Sequence, residues 1–190
     1  MRNVAMTGSV LAACGLFCSL AIGQAQPGKP GANVAPPPEA QTPVGAQADL
    51  KPTQGNKASG TLSLTPDKMG VHVAGTIGGL KPGAEHGFHV HETGNCSAPD
   101  ASSAGGHFNP AGAPHGKPGP GPHHLGDMPS IKANDNGVAE VDVHISGVTL
   151  GTSQANDIAG KALVVHEKPD DYKSQPAGNS GNRIACGVIK

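Results

Sequence analysis

The sequence predicts an all-β fold of antiparallel strands joined by many tight turns. Its 190 residues include 29 Gly and 18 Pro, about a quarter of the chain, while aromatic residues make up only 2%. That composition excludes long helices and coiled coils and leaves a turn-rich β protein or a disordered chain. Short runs of alternating apolar and polar residues favour the β protein, in one domain of ordinary size.

Five segments have the period of two that is typical of strands, namely residues 61–65, 71–77, 138–145, 162–166 and 184–189. The first two flank a turn, so an antiparallel pair is expected. In the third, apolar side chains share one face and polar side chains the other, which is typical of a half-buried strand. Residues 92–131 show no periodicity, and so long a connection inside a compact domain is usually functional.

The N-terminal residues 1–25 predict a secretory signal peptide. Their apolar run, residues 10–22, is too short to cross a bilayer, and the small residues that follow it fit cleavage after Ala25. The alternative is a bacterial lipobox at residues 11–14, in which Cys14 carries a lipid. We therefore expect export to the periplasm, with membrane attachment only if Cys14 is lipidated.

Composition also divides the rest of the chain. Residues 26–46 contain six prolines and almost no large apolar side chain, so a disordered tether is expected there. The functional domain is expected at residues 47–190. With 13 Lys and Arg against 14 Asp and Glu, the formal net charge is -1, which excludes nucleic acid as an expected partner.

The four cysteines predict one disulfide. Cys14 and Cys18 leave with the signal peptide, so Cys96 and Cys186 remain in the exported chain. A bond between them is expected in an oxidising compartment and would fix the start of the long loop to the last strand. A thiol metal site is the weaker alternative, because the pair lacks Cys-x-x-Cys spacing.

Histidine is concentrated in one part of the chain, since all ten lie between His72 and His166. His89 and His91 alternate in a strand, which places both imidazoles on one face about 7 Å apart. The long loop and a late strand add further candidate ligands, namely His107, His115, His123, His124, Asp127 and His166. With the two cysteines paired, this imidazole-rich, thiol-free set suits Cu(II) or Zn(II).

Five motifs follow one another along the chain: HGFHVHE at residues 86–92, GHFNP at 106–110, HLGD at 124–127, VHEK at 165–168 and GNRIACGVI at 181–189. Together they resemble copper/zinc superoxide dismutase of the bacterial exported kind, over residues 50–190. The resemblance implies an antiparallel Greek-key β-sandwich or barrel with long metal-binding loops. It also implies dismutation of superoxide to oxygen and hydrogen peroxide by alternating reduction and reoxidation of bound copper, which protects the exported compartment from oxidative damage.

The resemblance assigns one copper and one structural zinc to each chain. It implies copper ligands at His89, His91, His107 and His166, and zinc ligands at His107, His115, His124 and Asp127. His107 would bridge both metals as imidazolate and carry a proton for peroxide. Three imidazoles and one carboxylate leave zinc no open position, so the chemistry is expected at copper.

Further residues match supporting positions of the family. His86 and Asp170 resemble outer partners that orient the ligands, Asp170 by linking a copper-side and a zinc-side imidazole. Arg183 matches the arginine beside the copper channel, where a guanidinium attracts the small anionic substrate. The segment before Arg183 lacks the paired glutamates of the eukaryotic pattern, and Lys168 and Lys173 are expected to add to the positive field.

Three other functions predict different residues. A copper-delivery protein on this domain is expected to lack copper ligands or Arg183, a copper-only dismutase to lack the zinc set, and an adhesive sandwich to lack these histidines. The chain has all of them. His72, His123 and His144 lie outside the motifs and are expected at the surface. Strand periodicity leaves open whether the protein forms a homodimer.

Overall fold

The structure, a computed structural model, describes residues 45–190. Within them the chain forms one turn of 3₁₀ helix at Ser102–Ala104 and nine strands: β1 (Ala46–Pro52), β2 (Ser59–Pro66), β3 (Gly70–Gly78), β4 (Glu85–His86), β5 (Phe88–His91), β6 (Ile131–Lys132), β7 (Ala139–Ser146), β8 (Ala162–His166) and β9 (Arg183–Val188). The described residues include no helix with the length and hydropathy of a membrane span. The predicted signal peptide and nearly all of the predicted tether lie outside the described range.

Seven strands form one antiparallel sheet in the order β5-β8-β9-β1-β2-β3-β7. The sheet curls at β1, because residues 46–50 pair with β2 whereas Lys51 and Pro52 pair with β9. The remaining strands, β4 and β6, pair with each other and directly precede the edge strands β5 and β7 in the chain. The predicted antiparallel Greek-key sandwich or barrel with long loops is confirmed.

Alternating side chains of the sheet fill the interior. Leu62 and Leu64 of β2 face inward with Val71 and Val73 of β3, and all four are fully buried. The five strands expected from alternation are present, and their ends lie within two residues of the expected ones. The sequence does not predict β1, whose inward positions include the weak strand former Ala48. It does not predict β4 and β6 either, because two residues are too few to show a period.

Strand β5 lies at one edge of the sheet, and the long loop covers that edge. The Val90 N–H donates to the Gly126 carbonyl (2.9 Å), and the Phe108 N–H donates to the Val90 carbonyl (2.8 Å). The Gly126 N–H donates in turn to the Phe108 carbonyl (2.9 Å). Two segments of the loop are therefore held against β5, and they are the segments that carry GHFNP and HLGD.

The disulfide between Cys96 and Cys186 is confirmed, with 5.7 Å between the Cα atoms. Cys186 belongs to β9, so the bond fixes the beginning of the long loop to the last strand. Around it, Ala101 and Ala104 of the loop pack with Val164 of β8 in a small apolar cluster. In the chain-entropy model, a crosslink between residues separated by 90 positions stabilises the fold by about 4–5 kcal/mol.

Candidate metal centre

His89 and His91 are the candidate ligands that β5 contributes. Alternation along this strand sends Phe88 and Val90 into the core and both histidines to the opposite face, where His89 is 0% and His91 1% exposed. Their ring centroids lie 6.4 Å apart, close to the separation expected for alternate residues of a strand. Two imidazoles buried side by side need partners for four ring nitrogens.

Four histidines bring ring nitrogens within 4.8 Å of one another, and we call them the tetra-histidine group: His89, His91, His107 and His166. His107 comes from the loop segment that lies opposite His91. His166 ends β8, where a register shift after Val165 re-aims its side chain. His86 Nδ1 donates to the His166 carbonyl (2.8 Å) and fixes this strand end. The Nε2 atoms of His91 and His166 lie 3.3 Å apart.

A second set shares one member with the first, and we call it the His–Asp group: His107, His115, His124 and Asp127. Asp127 Oδ1 lies 2.8 Å from His107 Nδ1 and 3.0 Å from His115 Nδ1. The Nδ1 atom of His124 is 3.2 Å from the same oxygen. Asp127 Oδ2 accepts from the backbone N–H groups of Gly116 (3.1 Å) and His124 (2.9 Å). His107 thus presents Nδ1 to this group and Nε2 to the tetra-histidine group.

A hydrogen bond occupies one ring nitrogen of each β5 histidine and thereby determines which nitrogen is left to bind a metal. His89 Nε2 donates to Asp170 Oδ2 (2.8 Å), and His91 Nδ1 donates to the Gly105 carbonyl (2.9 Å). A neutral imidazole carries a proton on one nitrogen and a lone pair on the other. The lone pairs are therefore on His89 Nδ1 and His91 Nε2, which belong to the converging atoms of the tetra-histidine group.

Two of the converging nitrogens have no protein partner. His89 Nδ1 and His107 Nε2 are buried, and neither has a hydrogen-bond partner among residues 45–190. A buried polar atom left unsatisfied costs about 1–3 kcal/mol, so such atoms in a native structure require an explanation. A cation held between the rings satisfies both.

Burial also sets the protonation states of the site. It lowers the pKa of His89 and His91 well below the ordinary value and lowers the pKa of His166 to about 4. Burial alone would raise the pKa of Asp127, but hydrogen bonds from His107 and from backbone N–H groups hold it below its usual range. At neutral pH these imidazoles are uncharged and the carboxylate is ionised, as metal binding requires.

Asp170 links the two groups from outside. Its Oδ2 accepts from His89 Nε2 (2.8 Å), and its Oδ1 accepts from His115 Nε2 (2.9 Å). One carboxylate therefore fixes a ring in each group. Gly178, with a φ of +62°, packs against this carboxylate, and a β-carbon at that position would collide with Asp170 and His115. Glycine tolerates the positive φ and, because it has no β-carbon, also allows the close approach of the carboxylate.

Arg183 lines a cavity of about 370 Å³ together with three histidines of the tetra-histidine group. Its Nη1 donates to the Ala101 carbonyl and its Nη2 to the Gly105 carbonyl, both at 2.6 Å. Gly105 also accepts from His91, so one carbonyl oxygen holds Arg183 beside a ring of the group. The guanidinium is thereby fixed with its positive charge and its other donors next to the cavity.

Gln175 belongs to the site although no motif marks it. The His115 N–H donates to Gln175 Oε1 (2.8 Å), and Gln175 Nε2 donates to the His115 carbonyl (3.0 Å). Both backbone groups of one candidate ligand are thus fixed to the segment that also carries Asp170. The sequence offers no signal for this contact, because the two residues are 60 positions apart.

Three other histidines and the two candidate lysines belong to neither group. His123 is partly exposed in the long loop. His72 and His144 lie on the outer face of β3 and β7, and each contacts an aspartate. Lys168 and Lys173 are exposed, and neither lines the cavity beside the tetra-histidine group.

Known proteins are similar to this chain in sequence and in fold. Residues 58–189 match the family model for copper/zinc superoxide dismutase. The chain is 47% identical over 148 residues to Cu-Zn superoxide dismutase 2 of Aquifex aeolicus, a match that covers 76% of this chain and 86% of the relative. It is 40% identical over 139 residues to a Cu-Zn superoxide dismutase of Caulobacter vibrioides, covering 70% and 79%. The crystal structure of a SOD-like protein from Bacillus subtilis matches with a TM-score of 0.70 at 36% identity, over 76% of this chain and 97% of that chain.

We predict that Gln175→Ala weakens metal binding by the His–Asp group about tenfold, because it removes both hydrogen bonds to the His115 backbone, each of which contributes about 0.5–1.5 kcal/mol. Competition with a colorimetric Zn²⁺ chelator measures the change in affinity. Gln154→Ala, at an exposed position in another loop, is the matched control and should bind like the parent. Equal affinity in all three proteins would show that the Gln175 contact does not position His115.

Proposed function

The chain belongs to the copper/zinc superoxide dismutase family and is a superoxide dismutase, and we propose that each chain works with one copper and one zinc ion. The proposed copper ligands are the tetra-histidine group, and the proposed zinc ligands are the His–Asp group. His107 would then contribute one ring nitrogen to each ion.

The spacing of the donor atoms supports this assignment. Ligands around a tetrahedral ion with bonds of about 2.0–2.1 Å lie about 3.3 Å from one another. The Nε2 atoms of His91 and His166 are 3.3 Å apart. The Nδ1 atoms of His107 and His124 are 3.4 Å apart. Three imidazoles and a carboxylate form the closed set that suits structural zinc, whereas the thiol-free, all-imidazole set suits copper.

One observation carries the proposal. Buried lone pairs on His89 Nδ1 and His107 Nε2 converge where no described protein group can satisfy them. Hydrogen bonds to carboxylate or carbonyl oxygens occupy the opposite nitrogens of both β5 rings, so the tautomers are already those of ligands.

When bound, copper supplies the one-electron chemistry that converts two superoxide ions and two protons to dioxygen and hydrogen peroxide. Residues of the chain deliver the anion and the protons. Arg183 attracts superoxide to the cavity and donates hydrogen bonds to it, because two backbone carbonyls prevent its guanidinium from turning away. His107 takes up and returns a proton at Nε2, since this nitrogen lacks a protein partner and the ring lines the cavity.

We further propose that the domain acts in the periplasm and protects that compartment from oxidative damage. The apolar segment at residues 10–22 supports export. The bond between Cys96 and Cys186 supports it as well, because disulfides persist in oxidising compartments. Cleavage after Ala25 would leave residues 26–45 as a tether ahead of β1, which begins at Ala46. The lipobox pattern ending at Cys14 favours a second candidate location, the membrane surface.

Metal analysis of the purified parent should give one copper and one zinc per chain, together with dismutation of superoxide. His107→Ala should lower the content of both metals and reduce dismutation by about a hundredfold or more, because it removes a shared ligand and a proton carrier. His123→Ala, a partly exposed histidine of the same loop, should match the parent. Unchanged zinc content and an unchanged copper spectrum in His107→Ala would refute the shared ligand.

Arg183→Glu should retain both metals while slowing dismutation at least about tenfold, because it reverses the charge that steers the anion. Raising ionic strength from 0.01 M to 0.1 M shortens the Debye length from about 30 Å to about 10 Å, so it should slow the parent and speed the Glu variant. Arg183→Lys keeps the charge and should keep the parent's salt dependence. Parental activity in fully metallated Arg183→Glu would assign steering elsewhere, with Lys168 and Lys173 the next candidates.

Mass spectrometry of protein from the native host should find the N-terminus at Gln26, because the small residues before it fit signal-peptide cleavage. Fractionation should place this form in the periplasm. A diacylglyceryl group on Cys14, with loss of membrane association in Cys14→Ala, would instead establish the lipid-anchored form.

A further inference from the structure

The outer face of the sheet carries a pair of histidines outside both buried groups. His72 of β3 and His144 of β7 are direct partners in the antiparallel register. Their ring centroids lie 6.3 Å apart, and the ring planes are within 19° of parallel. We propose that this pair binds one divalent transition-metal ion, copper or zinc, at a surface site separate from the buried groups.

Each ring of the pair donates an N–H to a carboxylate. His72 Nε2 donates to Asp142 Oδ1 (2.6 Å), and His144 Nε2 donates to Asp67 Oδ2 (2.5 Å). The bond from His144 and the N–H of Met69 hold the pKa of Asp67 below its usual value, so this carboxyl is ionised and accepts. In its neutral form, His144 therefore has its proton on Nε2 and a lone pair on Nδ1.

The same pattern occurs in the buried site, where His89 and His115 donate Nε2 protons to Asp170. A carboxylate that accepts from one ring nitrogen orients the imidazole and raises the basicity of the other nitrogen, and metal-binding histidines almost always have such a partner. The surface pair has two carboxylates for two rings. Each histidine is therefore held in the tautomer that leaves Nδ1 available for a metal.

The strands hold the rings of His72 and His144 side by side, with a centroid separation of 6.3 Å that is close to the 6.4 Å between His89 and His91 of the tetra-histidine group. Directly opposed residues of an antiparallel pair have Cβ atoms about 4.5–5.5 Å apart. The side chains of His72 and His144 are 42% and 29% exposed, so solvent reaches both rings. His144 also lines a cavity with His123, Ser146 and Asp127 of the His–Asp group, and this cavity leaves room for water ligands.

The chemistry of the pair selects the class of ion. Imidazole nitrogens suit Cu²⁺ and Zn²⁺, whereas Mg²⁺ and Ca²⁺ require oxygen ligands. Stability alone gives little reason for the arrangement, because exposed ion pairs contribute about 0–1 kcal/mol. The site needs no residue of the buried groups and does not depend on how those groups function.

The test compares metal binding by the metal-loaded parent and by His72→Ala/His144→Ala. Isothermal titration with Zn²⁺ should show one equivalent more in the parent than in the double variant. Each single variant should bind this ion at least tenfold more weakly. Glu140→Gln removes a charge from the same outer face of β7 and is the matched control, with parental binding expected. The experiment measures the difference in bound Zn²⁺ between the parent and the double variant. The result therefore does not depend on how many ions the buried groups retain.

Two further measurements complete the test. Titration with Cu²⁺ should add a second electron paramagnetic resonance signal, with nitrogen hyperfine splitting, that disappears in His144→Ala. Dismutation rates should be equal in all variants and thereby report that each is folded. Equal binding by parent and double variant, or an extra equivalent lost in His123→Ala instead, would overturn the proposal.

Discussion

The position of His107 is the constraint on which the rest of the site depends. A single ring has to present Nδ1 to the His–Asp group and Nε2 to the tetra-histidine group, so a small displacement of its backbone would disturb both. Hydrogen bonds to β5 and to the residue that follows it flank His107 on both sides, from Glu92 N–H to the Gly106 carbonyl (2.9 Å) and from Phe108 N–H to the Val90 carbonyl (2.8 Å). The sheet edge therefore positions the loop, and the loop positions the shared ligand.

The acceptors around the rings are shared in the same manner. The Gly105 carbonyl accepts from His91 and from Arg183, and the Asp170 carboxylate accepts from a ring of each group. Hydrogen bonds that are connected in a network in a buried, low-dielectric environment strengthen one another. Loss of one donor or acceptor from such a network therefore costs more free energy than loss of an isolated hydrogen bond. The charge that attracts the substrate and the rings that bind metal are thus parts of one network.

Much of this arrangement could be predicted from the sequence, because much of it follows local patterns. Alternation identified the main strands and the common face of His89 and His91, and the ordered motifs pointed to the other candidate ligands. The contact between Gln175 and His115 could not be predicted, since it depends on how two distant loops approach each other. The pairing of His72 with His144 could not be predicted either. Alternation places each on an outer face, but only the register of β3 with β7 makes them neighbours.

The coverage of β5 has a consequence beyond ligand placement. An exposed edge strand presents unpaired N–H and C=O groups on which a strand of another molecule can add, and this is a common route to aggregation. Here the backbone of Val90 is already paired with Phe108 and Gly126 of the long loop. The loop that carries the candidate ligands therefore also prevents a strand of another molecule from pairing with β5. The same few backbone hydrogen bonds thus protect the protein from aggregation and position its metal ligands.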